Sequence, residues 1–273
     1  MADMLPKELR NALSIFEMPK FMFTKDASGE PNSALVLSWT TFHNNLVYGD
    51  IMTYKSRQNL LEGNSEMSLL VMTMSLDSWL VKANFESYHS NDEVYEFMAM
   101  TPFFRYNQYT NARSAGLAEP ISTSEKYSIS KANVLSSFLK AKMAVRKIPY
   151  VASEEGNMPP AILRRFSQMA AVKVLSFIDD DGYPVGFPEF GMLPVHSNRV
   201  VVKRHQEKRR GYKLACGQRV AISLVTLEPA AFQLKGTFRE LDANTGFVEI
   251  DRAYVCSLPR PGARVDVPLV EPK

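Results

Sequence analysis

A long internal repeat is the feature that most constrains how this chain can fold. When the sequence is shifted by 153 residues, positions 24–86 align without a gap onto positions 177–239, and twelve of the 63 pairs are identical. Unrelated sequences of this composition would share roughly four. Solenoid repeats are far shorter, so the alignment indicates the duplication of a whole domain. The shared residues include Asp26/Asp179, Gly29/Gly182, Pro31/Pro184, His43/His196, Lys55/Lys208, Arg57/Arg210 and Lys82/Lys235.

Each copy predicts the same order of elements. A helix is followed by a strand and by a D-x-x-G-x-P hairpin turn, in which glycine supplies a positive φ and proline begins an outer strand. The helices are predicted at 9–16 and 161–169, and the first strands at 21–24 and 172–178. In the first copy, later strands are predicted at 33–42, 67–74 and 78–87, with a closing strand after Arg113–Ala115. In the second copy they are predicted at 185–192, 220–226 and 231–240, with a closing strand after Arg252–Tyr254. Many hairpin-connected strands with few helices predict a closed antiparallel barrel in each copy.

The copies differ in one segment, and a further segment joins them. The first copy has an extra stretch at 91–113, predicted to be helical at its start. Between the copies, Val134, Phe138, Ala141, Val145 and Ile148 recur at helical spacing and predict an amphipathic helix that ends at Pro149. Packing on its own barrels is favoured over binding a partner. We therefore predict a first barrel at 1–128, a connecting helix and linker at 129–158, and a second barrel at 159–273.

Composition and charge exclude several classes of function. The chain has 273 residues, of which 45% are hydrophobic and 22% charged, a composition typical of a globular protein with a substantial core. A net charge of +3 without a long basic block argues against a nucleic-acid partner. The charged N-terminus is unlike a signal peptide and no run of eighteen apolar residues occurs, so we predict no membrane partner and a cytoplasmic location.

Cysteines and histidines give no sign of a metal site or a nucleophile. Cys216 and Cys256 lie forty residues apart without a C-x-x-C pair, which argues against a disulfide framework and a zinc site. We interpret both as buried apolar side chains. His43 and His196 recur at equivalent positions between two strands, so a shared role in a turn is favoured over catalysis. The sequence therefore predicts no metal and identifies no catalytic side chain.

Polar and charged groups are concentrated in the stretch YKSRQNLLEGN, Tyr54 to Asn64. Lys55, Ser56, Arg57 and Asn59 come just before or within a predicted helical turn. A phosphate is bound by such converging donors together with the backbone N–H groups of a helix N-terminus. On spacing alone, a solvated turn whose serine caps a helix is the simpler interpretation.

A resemblance changes this interpretation. The stretch YGDIMTYKSRQNLLEGNSEMSL resembles the phosphate-binding segment of the FMN-binding split-barrel superfamily, which includes the pyridoxamine 5′-phosphate oxidase-like proteins and the small FMN-binding proteins. In these families a Lys-Ser/Thr pair and an Asn-Leu helical turn hold the FMN phosphate. The resemblance implies phosphate contacts from Lys55, Ser56 and Asn59, with Arg57 as an additional cation. LVLSWTTF similarly resembles the family strand beside the isoalloxazine ring, which implies contacts with that ring from Ser38, Trp39 and Thr40.

The resemblance also implies a fold and a function. It implies a mainly β protein with peripheral helices, in which two tandem split β-barrels form an internal pseudo-dimer and a further homodimer is left open. The implied function is an FMN-dependent oxidoreductase that uses flavin bound between the two barrels and acts on a small-molecule substrate or a redox partner. Two alternatives stay open: a non-enzymatic FMN electron carrier or store, and a haem-handling protein, since relatives bind haem or deazaflavin.

The second copy departs from the family pattern. Gly191-Met192-Leu193 stands where the first copy has Ser38-Trp39-Thr40. Arg209 replaces Ser56, and Tyr212 replaces Asn59. The second copy therefore keeps the positive charge of the stretch but has no counterpart of the Ser56 hydroxyl or the Asn59 amide. We therefore expect one flavin per chain, held by the first copy.

An aromatic stretch, PFFRYNQY, lies within the extra segment of the first copy. Packing in the core or an interface is the favoured interpretation. The alternative is that Phe103, Phe104 or Tyr106 covers a flavin or a substrate.

Overall fold

The structure is a computed structural model that describes residues 4–106, 112–148, 157–226, 230–257 and 261–265. The chain divides into two compact units, one formed by Met1–Ser128 with Asp180–Val185 and the other by Ile129–Asp179 with Gly186–Lys273. Each unit contains one curled, antiparallel, eight-stranded sheet. The predicted class, mainly β with two split barrels in tandem, is confirmed, and each sheet forms a half-barrel instead of the fully closed barrel that the strand pattern predicts.

The first unit begins with a helix and continues into its sheet. Its elements are α1 (Lys7–Ser14), β1 (Lys20–Lys25), β2 (Pro31–Leu35), β3 (Thr40–Phe42), β4 (Asn45–Asp50), α2 (Tyr54–Leu61), β5 (Glu66–Met72), β6 (Asp77–His89), α3 (Glu93–Ala99), α4 (Pro102–Tyr106), β7 (Ser114–Thr123) and β8 (Tyr127–Ser128). The strands follow the order β2-β1-β5-β6-β7-β4-β3, and β8 pairs with β6. Its main apolar core packs α1 against the sheet.

The second unit has an additional helix at its start and then repeats this order without counterparts of α3 and α4. Its elements are α5 (Lys131–Val145), α6 (Pro160–Phe166), β9 (Val172–Ile178), β10 (Pro184–Pro188), β11 (Met192–Val195), β12 (Arg199–Lys203), α7 (His205–Arg209), β13 (Arg219–Val225), β14 (Ala231–Asp242), β15 (Thr245–Val255) and β16 (Ala263–Arg264). The strand order is β10-β9-β13-β14-β15-β12-β11, which is that of the first sheet.

Strand register also follows the repeat. Leu70 of β5 lies opposite Leu80 of β6, and a shift of 153 residues leads to Ser223 and Gln233, which lie opposite each other in β13 and β14. A slip of one residue would move every side chain of a strand to the other face of the sheet. The same register in both units therefore means that the duplicated positions face the same way.

The predicted turns are confirmed in both units. Gly29 and Gly182 have φ values of 78° and 84°, a region that glycine enters at no steric cost. The next strand of each sheet begins at the proline of the motif and lies at the sheet edge, where a missing N–H is tolerated. His43 and His196 also have positive φ values, 53° and 56°, in the turns before β4 and β12.

The strand predicted at 33–42 is wrong as a single element. β2 ends at Leu35 and β3 begins at Thr40, and the sheet order places these two strands at opposite ends. The chain must therefore leave the sheet between them, because β2 pairs with β1 whereas β3 pairs with β4. The predicted strand at 185–192 is broken in the same way between β10 and β11.

The closing strand of the second unit begins earlier than predicted. Ser114 of β7 lies opposite Asp50, and Thr245 of β15 lies opposite Lys203, the residue equivalent to Asp50. β15 thus begins at Thr245 and not after Tyr254. The reason is that the second unit lacks α3 and α4, so that β14 leads directly into β15 through a tight turn.

The extra segment of the first unit is helical at its start, as predicted, and packs on β4 and β7. Phe104 is buried against Gly49, where a Cβ atom would lie only 1.8 Å from its ring. Core packing is therefore the role that Phe104 has in this structure. Tyr106 is 85% exposed, and the rest of the aromatic stretch, 107–109, lies outside the described residues.

The connecting helix is α5, and it packs on β11 and β12 of its own unit through Phe138, Ala141 and Ala144. The helix ends at Val145 and residues 146–148 form a turn, so the predicted end at Pro149 is wrong by four residues. Within the described ranges, none of the helices is both long and apolar enough to cross a membrane.

The cysteine interpretation is half wrong. Cys216 is exposed, because it lies in the turn that leads into β13. Cys256 is partly covered, and burial raises the pKa of its thiol to about 12. Only Cys256 therefore resembles the predicted buried side chain.

Candidate functional site

Two of the predicted side chains lie on the inner face of α2. This helix lies against β1 and β2, and Ser56 and Asn59 are both buried. The Asn32 amide on β2 donates to Ser56 Oγ at 3.0 Å, and the Asn59 amide donates to Thr24 Oγ1 on β1 at 3.0 Å. The inner face of α2 is thus joined to the sheet by two pairs of buried polar side chains.

Arg57, also on α2, is held by a buried carboxylate. Its Nη1 lies 2.7 Å from Asp50 Oδ2 and 2.9 Å from Ser114 Oγ, and its guanidinium carbon lies 3.9 Å from the centre of the Tyr88 ring. Asp50 also accepts a hydrogen bond from Arg113 at 3.1 Å. Because Asp50 is completely buried, it requires such partners.

The phenols of Tyr48 and Tyr88 lie next to the cluster formed by Asp50, Arg57 and Arg113. The hydroxyls of Tyr48 and Tyr88 lie 2.9 Å apart. Burial raises the pKa of Tyr88 to about 12 and that of Tyr48 well above its usual value. Both phenols are therefore neutral at physiological pH, and the charge of the cluster comes from Asp50 and the two arginines.

Lys55 is the most exposed cation of the bend. Its side chain is 42% exposed, and Nζ lies 3.7 Å from Asp26 Oδ2 in the D-x-x-G-x-P turn. Burial raises the pKa of the Asp26 carboxyl, but hydrogen bonds from Ser28 and Glu30 and the charge of Lys55 outweigh this and lower it overall. Lys55 thus keeps a loose ion pair that a stronger anion can replace.

The three residues predicted beside the flavin ring lie near the break between β2 and β3. Ser38 Oγ donates to the Gly49 carbonyl at 3.2 Å and accepts the Gly49 N–H at 3.1 Å. Trp39 is fully buried, and its ring centre lies 4.3 Å from that of Tyr48. Thr40 begins β3 and is also buried. Contact between these residues and a flavin stays a prediction.

The end of β4 brings the two predicted groups together. Gly49 binds Ser38 through its backbone, and the adjacent Asp50 binds Arg57 through its side chain. The break between β2 and β3 and the bend at Tyr54–Asn64 lie in different segments of the chain. Two consecutive residues of β4 bind both segments.

The equivalent bend of the second unit is built differently. Tyr212, which replaces Asn59, packs between Phe177 and Phe187 with ring centres 5.7 Å and 5.9 Å away. Arg204 forms an ion pair with Glu207 at 2.6 Å. Lys203 stands where the first unit has Asp50. An aromatic cluster thus replaces the buried Thr24–Asn59 pair of the first unit.

A buried carboxylate lies beside the bend of the second unit. Glu189 Oε1 accepts the Gly191 N–H at 2.7 Å, and Oε2 accepts the Gln206 N–H at 3.4 Å. A Cβ atom on Gly191 would lie 2.8 Å from Oε1, so this carboxylate occupies the space that the Ser38 side chain has in the first unit. Burial raises the pKa of Glu189 to about 7 against the opposing effect of these N–H groups.

The groups on α2 fit a phosphate ester. Lys55 and Arg57 supply positive charge, and Ser56 accepts a hydrogen bond from Asn32 and so keeps its hydroxyl proton for another acceptor. Asn59 Oδ1 is buried without a partner among the described residues. The two orientations of an amide have nearly the same shape. In the reversed orientation Asn59 Oδ1 accepts a hydrogen bond from the Thr24 hydroxyl, and the amide nitrogen can donate an N–H to an anion.

Several residues of this cluster were missed by reasoning from sequence. Thr24, Asn32 and Asp50 are short polar residues in strands, and nothing in their local sequence marks them. The repeat itself carries the signal, since their equivalents are Phe177, Val185 and Lys203. Polar residues found in only one copy are candidates for a site found in only one copy.

No protein-family model matches the chain, and no curated protein matches it in sequence. Solved structures do match. An FMN-binding protein from Syntrophomonas wolfei is 14% identical with a TM-score of 0.39, and the match covers 45% of this chain and 88% of that one. A protein proposed to be a pyridoxamine 5′-phosphate oxidase, from Lactobacillus delbrueckii, is 21% identical with a TM-score of 0.37, covering 45% and 95%.

The haem storage protein HutZ from Vibrio cholerae is also similar, at 13% identity and a TM-score of 0.35, covering 45% of this chain and 94% of that one. At such identities the likeness concerns the fold. Each of these matches spans a little less than half of the chain. The resemblance to split-barrel proteins predicted from the sequence is thus found in solved structures as well.

Proposed function

We propose that this chain binds FMN through the bend of its first unit and acts as a flavin-dependent oxidoreductase. The observation that carries the proposal is the set of donors on α2, where Lys55, Ser56, Arg57 and Asn59 lie within two turns of one helix. Three of them are supported by buried or partly buried partners. Such preorganised, charge-assisted donors are what a phosphate ester requires.

Each donor has a separate role in the proposal. Lys55 leaves its loose contact with Asp26 to pair with the phosphate, and Ser56 donates its hydroxyl proton. Arg57 adds positive charge while it stays fixed by Asp50. The bound flavin would supply the redox chemistry, and the protein would determine its orientation and environment. Ring contacts from Ser38, Trp39 and Thr40, and placement of the flavin between the two barrels, stay predictions of the sequence.

The proposal includes one flavin per chain. The second bend retains Lys208, Arg209 and Arg210 but has Tyr212 packed between two phenylalanines. An aromatic side chain in that position offers no donor of the kind that Asn59 supplies. Titration with FMN is expected to end at one equivalent, and two equivalents would contradict the proposed asymmetry.

The test is the absorbance spectrum of the purified protein followed by FMN titration of matched variants. Lys55→Ala and Ser56→Ala are each expected to weaken FMN binding by about 1.5–3 kcal/mol, because each removes a hydrogen bond to a charged group. Lys208→Ala, the equivalent change in the second unit, is the control and should leave the affinity unchanged. Equal affinity in all four proteins would refute the assignment.

The same material separates the remaining alternatives. Rapid reduction of the bound flavin by a reduced nicotinamide, with turnover in the presence of an acceptor, supports an oxidoreductase. A flavin spectrum without such reduction favours a carrier or store. A Soret band without a flavin spectrum would replace the FMN proposal with haem handling.

A further inference from the structure

We infer that Asn32 and Thr24 are positioning residues that orient the donors Ser56 and Asn59 toward the phosphate of the ligand, and thereby make the site select a phosphorylated flavin over riboflavin. This inference rests on the proposed function. Neither residue belongs to the bend, and both reach it from the sheet below.

The Asn32–Ser56 pair controls the direction of a hydroxyl proton. In the orientation that the structure gives the Asn32 amide, its nitrogen donates to Ser56 Oγ at 3.0 Å. Because Ser56 Oγ accepts this bond, the hydroxyl keeps its own proton for a different acceptor. Ser56 is thereby fixed as a donor, which is the role that an anion requires.

The Thr24–Asn59 pair fixes the second donor. One polar atom of the Asn59 amide is bonded to Thr24, and the other is buried without a partner in the described parts of the chain. An unsatisfied buried polar group costs about 1–3 kcal/mol. A phosphate oxygen that accepts an N–H from this amide would remove the cost, with the Thr24 hydroxyl satisfying the carbonyl oxygen.

The second unit argues against a purely structural role for the two pairs. There the residues equivalent to Asn32 and Ser56 are Val185 and Arg209, so both members of the pair are replaced. The bend is still joined to its sheet, by packing of Tyr212 on Phe177 of β9 and by an ion pair between Arg204 and Glu240 of β14. The Asn32–Ser56 and Thr24–Asn59 pairs are thus unnecessary for attaching this helix.

A replacement of both partners by apolar groups of similar shape is often neutral or stabilising. The first unit keeps both polar pairs although the second unit attaches its bend without either of them, and has the aromatic pair Phe177–Tyr212 in place of Thr24–Asn59. Their retention is explained if the pairs act on a ligand that only the first unit binds.

The experiment measures the dissociation constants of the full-length protein for FMN and for riboflavin. Asn32→Ala and Thr24→Val are each expected to weaken FMN binding roughly 10- to 100-fold, as expected for a misdirected hydrogen bond to a charged group. Riboflavin lacks the phosphate, so its affinity should change by less than about twofold. Asn45→Ala, at an exposed amide in β4, is the control and should leave both affinities unchanged.

A double-mutant cycle distinguishes positioning from general weakening. If Asn32 acts through Ser56, then Asn32→Ala should have little further effect on FMN affinity in a Ser56→Ala background. Equal losses for FMN and riboflavin, or additive effects in the cycle, would overturn the inference while leaving FMN binding intact. A wild-type protein that binds no FMN would instead overturn the proposed function, and the inference with it.

Discussion

Asp50 and Arg57 form an ion pair in which Arg57 Nη1 lies 2.7 Å from the fully buried Asp50 Oδ2. A buried carboxylate of this kind is tolerated only when it is paired and hydrogen-bonded, and Arg113, Thr53 and Ser114 complete its shell. The pair joins the end of β4 to α2 and so sets the position of the candidate phosphate donors.

Asp50→Asn is expected to lower the free energy of unfolding by about 2–3 kcal/mol, because it leaves two arginines without their shared counter-charge. Urea denaturation at pH 7 measures the change. Asp251→Asn is the control, since Asp251 pairs with Arg219 at 2.6 Å on the surface and should contribute less than about 1 kcal/mol. Equal effects of the two substitutions would contradict the central role of Asp50.

Gly49→Ala should destabilise the first unit by about 1–3 kcal/mol, since the new Cβ atom would overlap the ring of Phe104. Thermal or urea unfolding measures the loss. In a Phe104→Ala background the same substitution should cost clearly less, because the space above Gly49 is then open. An identical cost in both backgrounds would show that the clash is not the cause.

The stability of the protein should depend on pH through Glu189. Burial raises its pKa to about 7 from an ordinary value of 4.5, so that between these values the folded state binds more protons than the unfolded state. The free energy of unfolding therefore falls as pH rises from about 4.5 to about 7, by at most about 3 kcal/mol, and this contribution then levels off.

Glu189→Gln should remove this fall and make the protein more stable than wild type at pH 7.5, with little difference at pH 4.5. Urea denaturation at half-unit pH steps measures both curves. Glu8→Gln, at a surface ion pair with Lys126, is the control and should keep the wild-type slope. A wild-type stability that rises over this range would contradict the assignment to Glu189.

Cys216 is expected to react with iodoacetamide at least ten times faster than Cys256 at pH 8. Cys216 is exposed, whereas burial raises the pKa of the Cys256 thiol to about 12 and leaves almost no thiolate. Mass spectrometry of partially labelled protein measures both rates. Cys216→Ser should leave only the slow reaction, and two equal rates would contradict the burial of Cys256.

The duplication allowed much of the fold to be predicted. Two aligned copies gave the D-x-x-G-x-P turns, the equivalent histidines and the two sheets, because these features depend on local backbone requirements such as the positive φ of Gly29. The break between β2 and β3 could not be found in this way. Its cause is pairing with β1 on one side and β4 on the other, which no local pattern within 33–42 records.

The candidate site, too, could be predicted only in part from the sequence. By itself the sequence determined the bend with Lys55, Ser56, Arg57 and Asn59 and its altered counterpart in the second copy, because these residues are close together along the chain. Only the tertiary structure placed Thr24, Asn32 and Asp50 against that bend. Their contacts cross from strands to a helix over 7 to 35 residues, and such contacts depend on how the sheet brings distant segments together.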